Sequence, residues 1–458
     1  MPKKGDLVEL EVEYLLPGGK GAVKAGGMTY EVVDALPGDS VRVRVQRIKG
    51  NRIFAGVEEI VTESCPRIAP RCSHFGECGG CVWQDIRYGD QLRLKADFVR
   101  RCFEEVGLCG DTPLLEPVGC ESPFFYRNKM EFSFGELAAA AEGSHRVALG
   151  LHIRGRYDRI FDLKGCFLQS ESSNELVSAV RTWANEHGLP AYDLRRHEGL
   201  LRFLTVREGK RTGETMLGLT VSRAGFGGQD AMARQVMSGH PEVRSFVASV
   251  NEGRAQIAAG TEDLLIAGKR TIREMIGDVV FEISANSFFQ TNSLQAAELC
   301  GVVAELADLG GRETVYDLYC GAGTFGLCLS GQAERVVGVE ASEEAVSDAV
   351  QNARLNEASH CRFVCGEVEN ALPELGAESV PDVVVVDPPR AGLHNKVVRS
   401  LAELGARTLI YVSCNPQTMA RNVRDLGAGG YVLDVLQPVD MFPHTCHVEC
   451  VGRLRRPH

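Results

Sequence analysis

Ser413-Cys414-Asn415-Pro416 follows the apolar run Leu409-Ile410-Tyr411-Val412. A strand over that run aims Cys414 out of the carboxyl edge of its sheet, the edge at which open α/β sheets hold ligands. A free cysteine in such a place is ordinarily a buried structural residue. Its neighbour reverses that reading, because Asp387-Pro388-Pro389-Arg390 ends the previous apolar run, Val383-Val384-Val385-Val386. A strand that stops in Asp-Pro-Pro holds a carboxylate and carbonyls in a rigid turn beside a nucleobase or a methyl donor. There, a thiolate can add to carbon 6 of a uracil and make the weakly nucleophilic carbon 5 enolate-like, which is covalent catalysis. A thiol of ordinary pKa is only about 3% ionised at pH 7, so the site is expected to favour the thiolate. The adduct must then lose its carbon-5 proton to a general base. Glu449, His444 and His447 all lie in Asp440-Met441-Phe442-Pro443-His444-Thr445-Cys446-His447-Val448-Glu449, and the residues alone leave the three level.

Gly321-Ala322-Gly323-Thr324-Phe325-Gly326 lies directly after the run Val315-Tyr316-Asp317-Leu318. Glycines there let the backbone turn tightly and approach a ligand without a Cβ in the way. Glu340 ends the next run, at the spacing where an acid takes ribose hydroxyls. A nicotinamide dehydrogenase shares that pattern but has no evident need of Asp387-Pro388-Pro389-Arg390, so S-adenosylmethionine is the expected cofactor. A separate cluster, Cys72-x5-Cys78-x2-Cys81, offers three soft ligands in a glycine-rich loop. Zinc is one reading, with Cys65 as the fourth thiolate.

These residues need elements to position them. After about residue 276, short apolar runs alternate with helical stretches, as parallel strands buried on both faces require. This part reads as a doubly wound α/β domain. Residues 1–62 show period-two alternation, Leu7-Val8-Glu9-Leu10-Glu11-Val12 and Val41-Arg42-Val43-Arg44-Val45, with Gly/Pro punctuation, and predict a small antiparallel barrel. Arg42, Arg44, Arg47, Lys49 and Arg52 fall within eleven residues that contain no acid, so a phosphate-contacting face is expected beside the plainer reading of a solvated strand. Apolar spacing over Asp90–Val106 predicts an amphipathic helix capped by Gly107. Residues 120–275 read as mixed strand and helix. Seven basic residues against four acidic ones between 64 and 101 suggest a local basic surface. The 458 residues carry a net charge of −11, which excludes a generally basic nucleic-acid coat. Sixteen cysteines with no signal-like start point to a reducing compartment, hence the cytoplasm. No run reaches the ~18 apolar residues of a membrane span.

Together with Phe288-Phe289-Gln290-Thr291-Asn292, the segments from Leu318 to Phe325, Asp387 to Gly392, Ser413 to Pro416 and Asp440 to Thr445 occur in an order that resembles the RNA uracil-5 methyltransferases. The similarity is specifically to the bacterial branch with an N-terminal TRAM barrel and an iron–sulfur cluster. That resemblance implies an OB-like TRAM barrel over 1–62, a central mixed α+β iron–sulfur domain over 63–275 and a Rossmann-like methyltransferase domain over 276–458. The helix near 90–106 is placed against the catalytic domain. The nucleophile falls on Cys414 and the proton-abstracting carboxylate on Glu449. Contacts to S-adenosylmethionine fall on Gln290, Tyr319, Glu340 and Asp387, with Thr324 and Glu367 alongside. The cluster becomes a structural [4Fe-4S] group on Cys72, Cys78, Cys81 and Cys166, with Cys65 a bystander. The implied partner is RNA, namely 23S rRNA, with a tRNA uridine as the alternative; neither DNA nor a membrane is expected, and the chain is expected to be a monomer. Cytosine-5 methylation is disfavoured because no Pro-Cys pair lies near Cys414. Intact Cys414 and Glu449 argue against a non-catalytic RNA-assembly protein.

Overall fold

The structure, a computed structural model, describes residues 2–108, 110, 112–137 and 146–457, with the backbone alone for Tyr157. The described residues build three principal sheets. The first joins β1 (Leu7–Glu11), β2 (Tyr14–Leu16), β3 (Lys20–Ala25), β4 (Met28–Val33), β5 (Ser40–Lys49) and β6 (Arg52–Thr62) in the order β1-β5-β6-β4-β3-β2. Alternation works as expected: Val41, Val43 and Val45 face a core with Val12, Val32 and Ile53, while Arg42 and Arg44 face outward. Three register shifts between β5 and β6 let these long strands bend around that core. One pairing departs from the expected antiparallel barrel, since β4 and β6 run parallel.

The expected phosphate-contacting face also changes on folding. Glu9 of β1 and Glu59 of β6 lie opposite Arg42 in register, and both pair with its guanidinium, at 3.0 and 2.7 Å. Arg44 pairs with Glu58 at 2.6 Å, Arg52 pairs with Glu31, and Arg47 lies over the Phe54 ring. The acids missing from the local run arrive from neighbouring strands. In the stretch 64–101, Arg67 likewise pairs with a distant acid, Asp39, while Arg93 and Arg100 pair with Asp90 and Asp97 one turn away on the same helix.

Helix α1 (Tyr88–Glu104) ends at Gly107, whose φ of +79° allows Leu108 N–H to reach Phe103 O at 3.0 Å. The second sheet follows, with β7 (Lys129–Glu136), β8 (Val147–Ile153), β9 (Arg156–Asp162), α2 (Glu171–Glu186), β10 (Leu201–Glu208), β11 (Thr215–Val221), α3 (Gln229–Gly239), β12 (Val243–Val250) and β13 (Glu262–Gly268). Its order is β13-β12-β11-β10-β7-β8-β9, and α2 and α3 bury Leu176, Val180, Trp183, Met232 and Val236 in a core with its strands.

A hairpin of β14 (Ile272–Ile276) and β15 (Val279–Ile283) leads to the third unit: α4 (Ser293–Ala307), β16 (Thr314–Leu318), α5 (Thr324–Ser330), β17 (Arg335–Glu340), α6 (Glu343–Leu355), β18 (Cys361–Cys365), α7 (Val368–Glu378), β19 (Val383–Val386), α8 (Asn395–Leu404), β20 (Thr408–Ser413), α9 (Pro416–Ala428), β21 (Val432–Val439) and β22 (Glu449–Arg455). The order β18-β17-β16-β19-β20-β22-β21 is parallel up to β20, and β22 runs antiparallel to both neighbours. The order reverses between β16 and β19, which makes a topological switch point. Helix α1 belongs to this unit's core, with Val99, Cys102 and Phe103 packed among residues of α8, α9 and β21.

Lys95, counted above toward a basic surface, is instead buried. Its Nζ lies 2.6 Å from Asp440 Oδ1, with both side chains 1% exposed. Removing one partner of such a pair strands the other charge. Lys95→Met should therefore destabilise the protein by about 3–5 kcal/mol, whereas Arg93→Ala, which breaks an exposed pair with Asp90, should cost about 1 kcal/mol or less. Chemical denaturation of both variants checks the contrast.

Candidate active site

The third sheet gathers the predicted residues along one edge. Leu318 pairs with Val339 and Val386, and Val386 with Tyr411. Tyr319, Glu340 and Asp387 therefore sit at or just past the carboxyl ends of adjacent strands, and Cys414 directly follows β20. Ser413 pairs with Cys450, so Glu449, first in the antiparallel β22, stands beside Cys414. Thr324 opens α5, while Glu367 caps α7 from an exposed position. Gln290 lies in the loop two residues before Asn292, the N-cap of α4. Its neighbour Phe288 is 73% exposed and Phe289 is buried.

The glycine turn takes the conformation its residues permit. Gly321 and Gly323 have φ of +53° and +86°, and Tyr319 has +64°. Glu340 accepts from Gly321 N–H at 3.2 Å and from Ser342 N–H at 2.9 Å, which fixes its carboxylate at the rim. Below the turn, Asp317 accepts from Gly326 N–H at 2.7 Å, and burial pushes its pKa up to about 7. Burial pushes the Tyr319 phenol up to about 12, and Glu369, Glu367 and Glu340 push in the same direction. A glycine rim free of Cβ atoms, an aromatic wall and an oriented carboxylate fit an adenosine-containing cofactor such as S-adenosylmethionine.

The second cluster is electrostatically tight. Burial raises Glu449 far above the carboxylate range, Asp387 raises it further and Arg390 opposes. Burial also raises Asp387. The expectation of a thiolate-favouring site needs correction: burial first, then Glu449, pushes the Cys414 thiol up, while the Arg390 guanidinium pulls it down. The sequence marked Arg390 only as part of a motif, although its position three residues after Asp387 was the available signal. Asn415 and Thr418 donate to the Arg390 carbonyl at 2.9 and 3.3 Å and hold the two loops together. A cavity of about 370 Å³ opens beside Cys414, and Arg390, Asn415, Gln417 and His447 contribute to its lining. His444 is not in that lining: it is buried, Gln91 Nε2 lies 3.2 Å from its Nδ1, and burial lowers its pKa to about 4. Glu449 and His447 remain near the thiol.

The four expected cluster cysteines also meet. Cys72, Cys78, Cys81 and Cys166 line one cavity of about 500 Å³, and burial followed by the other three thiols pushes Cys81 up to about 12. Cys65 packs elsewhere, with Leu15, Leu36 and Trp83. Among the described residues, no group of three His, Cys, Asp or Glu side chains is disposed to hold a single metal ion.

A profile of the family tRNA (Uracil-5-)-methyltransferase matches residues 261–456. An RNA methyltransferase of Bacillus cereus is 36% identical over 454 residues, 99% of this chain and 98% of that one. One from Halalkalibacterium halodurans is 37% identical over 452 residues, 98% of this chain and 97% of that one. Among solved structures, the Pyrococcus abyssi tRNA (uracil-54, C5)-methyltransferase in complex with S-adenosyl-L-homocysteine is 29% identical, with a TM-score of 0.76 over 98% of this chain and 100% of that chain. The chain belongs to the RNA uracil-5 methyltransferase family, whose members are S-adenosylmethionine-dependent enzymes.

If Glu449 acts as base from this environment, the acid limb of the kcat–pH profile at saturating donor should lie well above about 4.3, the ordinary glutamate value. Asp387→Asn removes a carboxylate that raises Glu449, so it should move that limb to lower pH. An acid limb near the ordinary value, unmoved in Asp387→Asn, would contradict the assignment.

Proposed function

We propose that the protein methylates carbon 5 of a uridine in a structured RNA through a covalent adduct on Cys414. The observation that carries this reading is the meeting of Cys414, Arg390, Asp387 and Glu449 at one sheet edge beside an open cavity. Cys414 adds to carbon 6 as a thiolate, and the electron pair displaced from the 5,6 double bond becomes available at carbon 5. Bound S-adenosylmethionine supplies an electrophilic methyl group; Tyr319, Glu340 and Asp387 are the chain's contacts for it, with Gln290, Thr324 and Glu367. Glu449 takes the carbon-5 proton, the 5,6 double bond re-forms and the Cys414 thiolate leaves. Arg390 lowers the cost of ionising Cys414 in a buried, acidic site. His447 lines the same cavity and is read as a neighbour rather than the base.

The expected target is 23S rRNA, and a transfer-RNA uridine is the second reading. The overlap of 98% of this chain with the Pyrococcus abyssi tRNA (uracil-54, C5)-methyltransferase supports the second. Extruding the base costs a few kcal/mol and favours a loop in either RNA. Methylation of 23S rRNA and tRNA transcripts in parallel, with the modified base mapped, decides between them. Cys414→Ala should abolish methylation and leave donor binding intact. Glu449→Gln should accumulate a denaturation-resistant protein–RNA complex that already carries the methyl group; a complex without it would give Glu449 an earlier role.

Cys72, Cys78, Cys81 and Cys166 are proposed to hold a structural [4Fe-4S] cluster. Four thiols around one cavity match that donor set. Anaerobically purified protein should be brown, with iron and sulfide in near-stoichiometric amounts. Cys166→Ser should bleach it and Cys65→Ser should not; colourless, zinc-loaded protein that depends on Cys65 would overturn the assignment.

A further inference from the structure

The cavity beside Cys414 is not enclosed by the third sheet alone. Leu15 and Leu16 at the end of β2, and Pro17, Gly18 and Gly19 of the turn into β3, line it together with Arg390, Cys414 and His447. The turn is seated by several independent contacts. Leu15 and Leu36 share a small apolar core with Trp83 and Ile86, against which Phe98 of α1 and Cys446 pack. The Arg101 guanidinium of α1 lies 3.2 Å from the centroid of the Tyr14 ring in β2. Gly19 has φ of +75°, and a Cβ there would stand 2.8 Å from Cys446 Cβ, closer than two such carbons approach. Cys446 lies in the loop that leads into Glu449. The N-terminal sheet thus touches the loop carrying the expected base and contributes to the lining of the cavity beside Cys414.

We propose that the β2–β3 turn is a positioning element for methyl transfer, the wall that holds the extruded uridine against Cys414. This rests on the methyl-transfer reading above. A base out of its stack keeps rotational freedom unless the pocket is closed on both faces. Reaction needs carbon 6 near van der Waals contact with the sulfur, and small misplacements cost large factors in rate. Leu16 and Pro17 offer an apolar surface suited to the face of a pyrimidine, while Arg390 and Asn415 offer polar groups to its edge and ribose. On this account the N-terminal sheet contributes to kcat, beyond any contribution to RNA affinity.

The test uses the full chain with Gly19→Val, which forces the turn off Cys446, and Leu16→Ala, which thins the wall without forcing the turn. Gly27→Ala is the control: it lies in the β3–β4 turn, also has positive φ (+76°), and has open space around its Cβ position. Two readouts are taken. Without RNA, alkylation of Cys414 by iodoacetamide, followed by peptide mass spectrometry, should be about fivefold faster in Gly19→Val, faster to a lesser degree in Leu16→Ala, and unchanged in Gly27→Ala. In steady state, kcat for RNA methylation should fall about tenfold in Gly19→Val, with dissociation constants for donor and RNA within about twofold of wild type. Unchanged alkylation in both wall variants would overturn the proposal, as would faster alkylation with unchanged kcat, or a loss confined to RNA affinity. A wild-type protein that methylates no RNA would remove the methyl-transfer reading, and the positioning role with it; alkylation would then report only whether the wall exists.

Discussion

A buried ion pair between two segments 345 residues apart holds in place the sheet edge that carries Cys414 and Glu449. Lys95 of α1 donates to Asp440 Oδ1 at 2.6 Å and to Phe442 O at 3.1 Å, and Tyr88 donates to Asp440 Oδ2 at 2.9 Å. The chain leaves β21 at Asp440 and re-enters the sheet at Glu449, so the intervening loop decides where that carboxylate stands. Other contacts follow from the pair. Gln91 accepts from His444 N–H, Val82 and Trp83 donate to His444 O, Tyr126 donates to Pro443 O, and Asn292 donates to Met441 O. Two charges out of water tolerate little displacement, because each depends on the other for its desolvation. The pair is thus better suited to fixing a position than to adding net stability.

The same helix links the first sheet to the third. Val99 and Phe103 enter the core of the third sheet, Lys95 and Gln91 hold the loop before Glu449, and Arg101 meets Tyr14 of the first sheet. Cys414, Glu449 and the N-terminal turn therefore share one frame. The site's electrostatics suit a proton-transfer sequence. Burial keeps Glu449 and the Cys414 thiol near their protonated forms, and Arg390 opposes both shifts. A carboxyl raised toward the working pH makes a better base than one at its ordinary value.

Legibility in the sequence followed how local each signal was. The strand ending in Cys414, the turn of Gly321 and Gly323, and the cap at Gly107 depend on residues a few positions apart, and each appears where its pattern places it. Features that depend on distant partners were hidden. Arg42 and Arg44 look like a free basic face until Glu9, Glu58 and Glu59 arrive from adjacent strands. Lys95 counts as a surface charge until Asp440 meets it. The parallel pairing of β4 with β6 needs a crossover through β5 that alternation cannot announce. The raised Cys414 pKa reflects burial and a neighbour from another strand, which spacing along the chain does not encode.

The central claim is that Cys414 addition and proton removal by Glu449 are separate steps of one reaction. The most direct measurement is release of tritium from RNA labelled at carbon 5 of uridine, followed together with methyl incorporation. The account predicts one tritium released per methyl transferred in the wild type, and methyl incorporation without tritium release in Glu449→Gln. Tritium release by Glu449→Gln at the wild-type rate would contradict it.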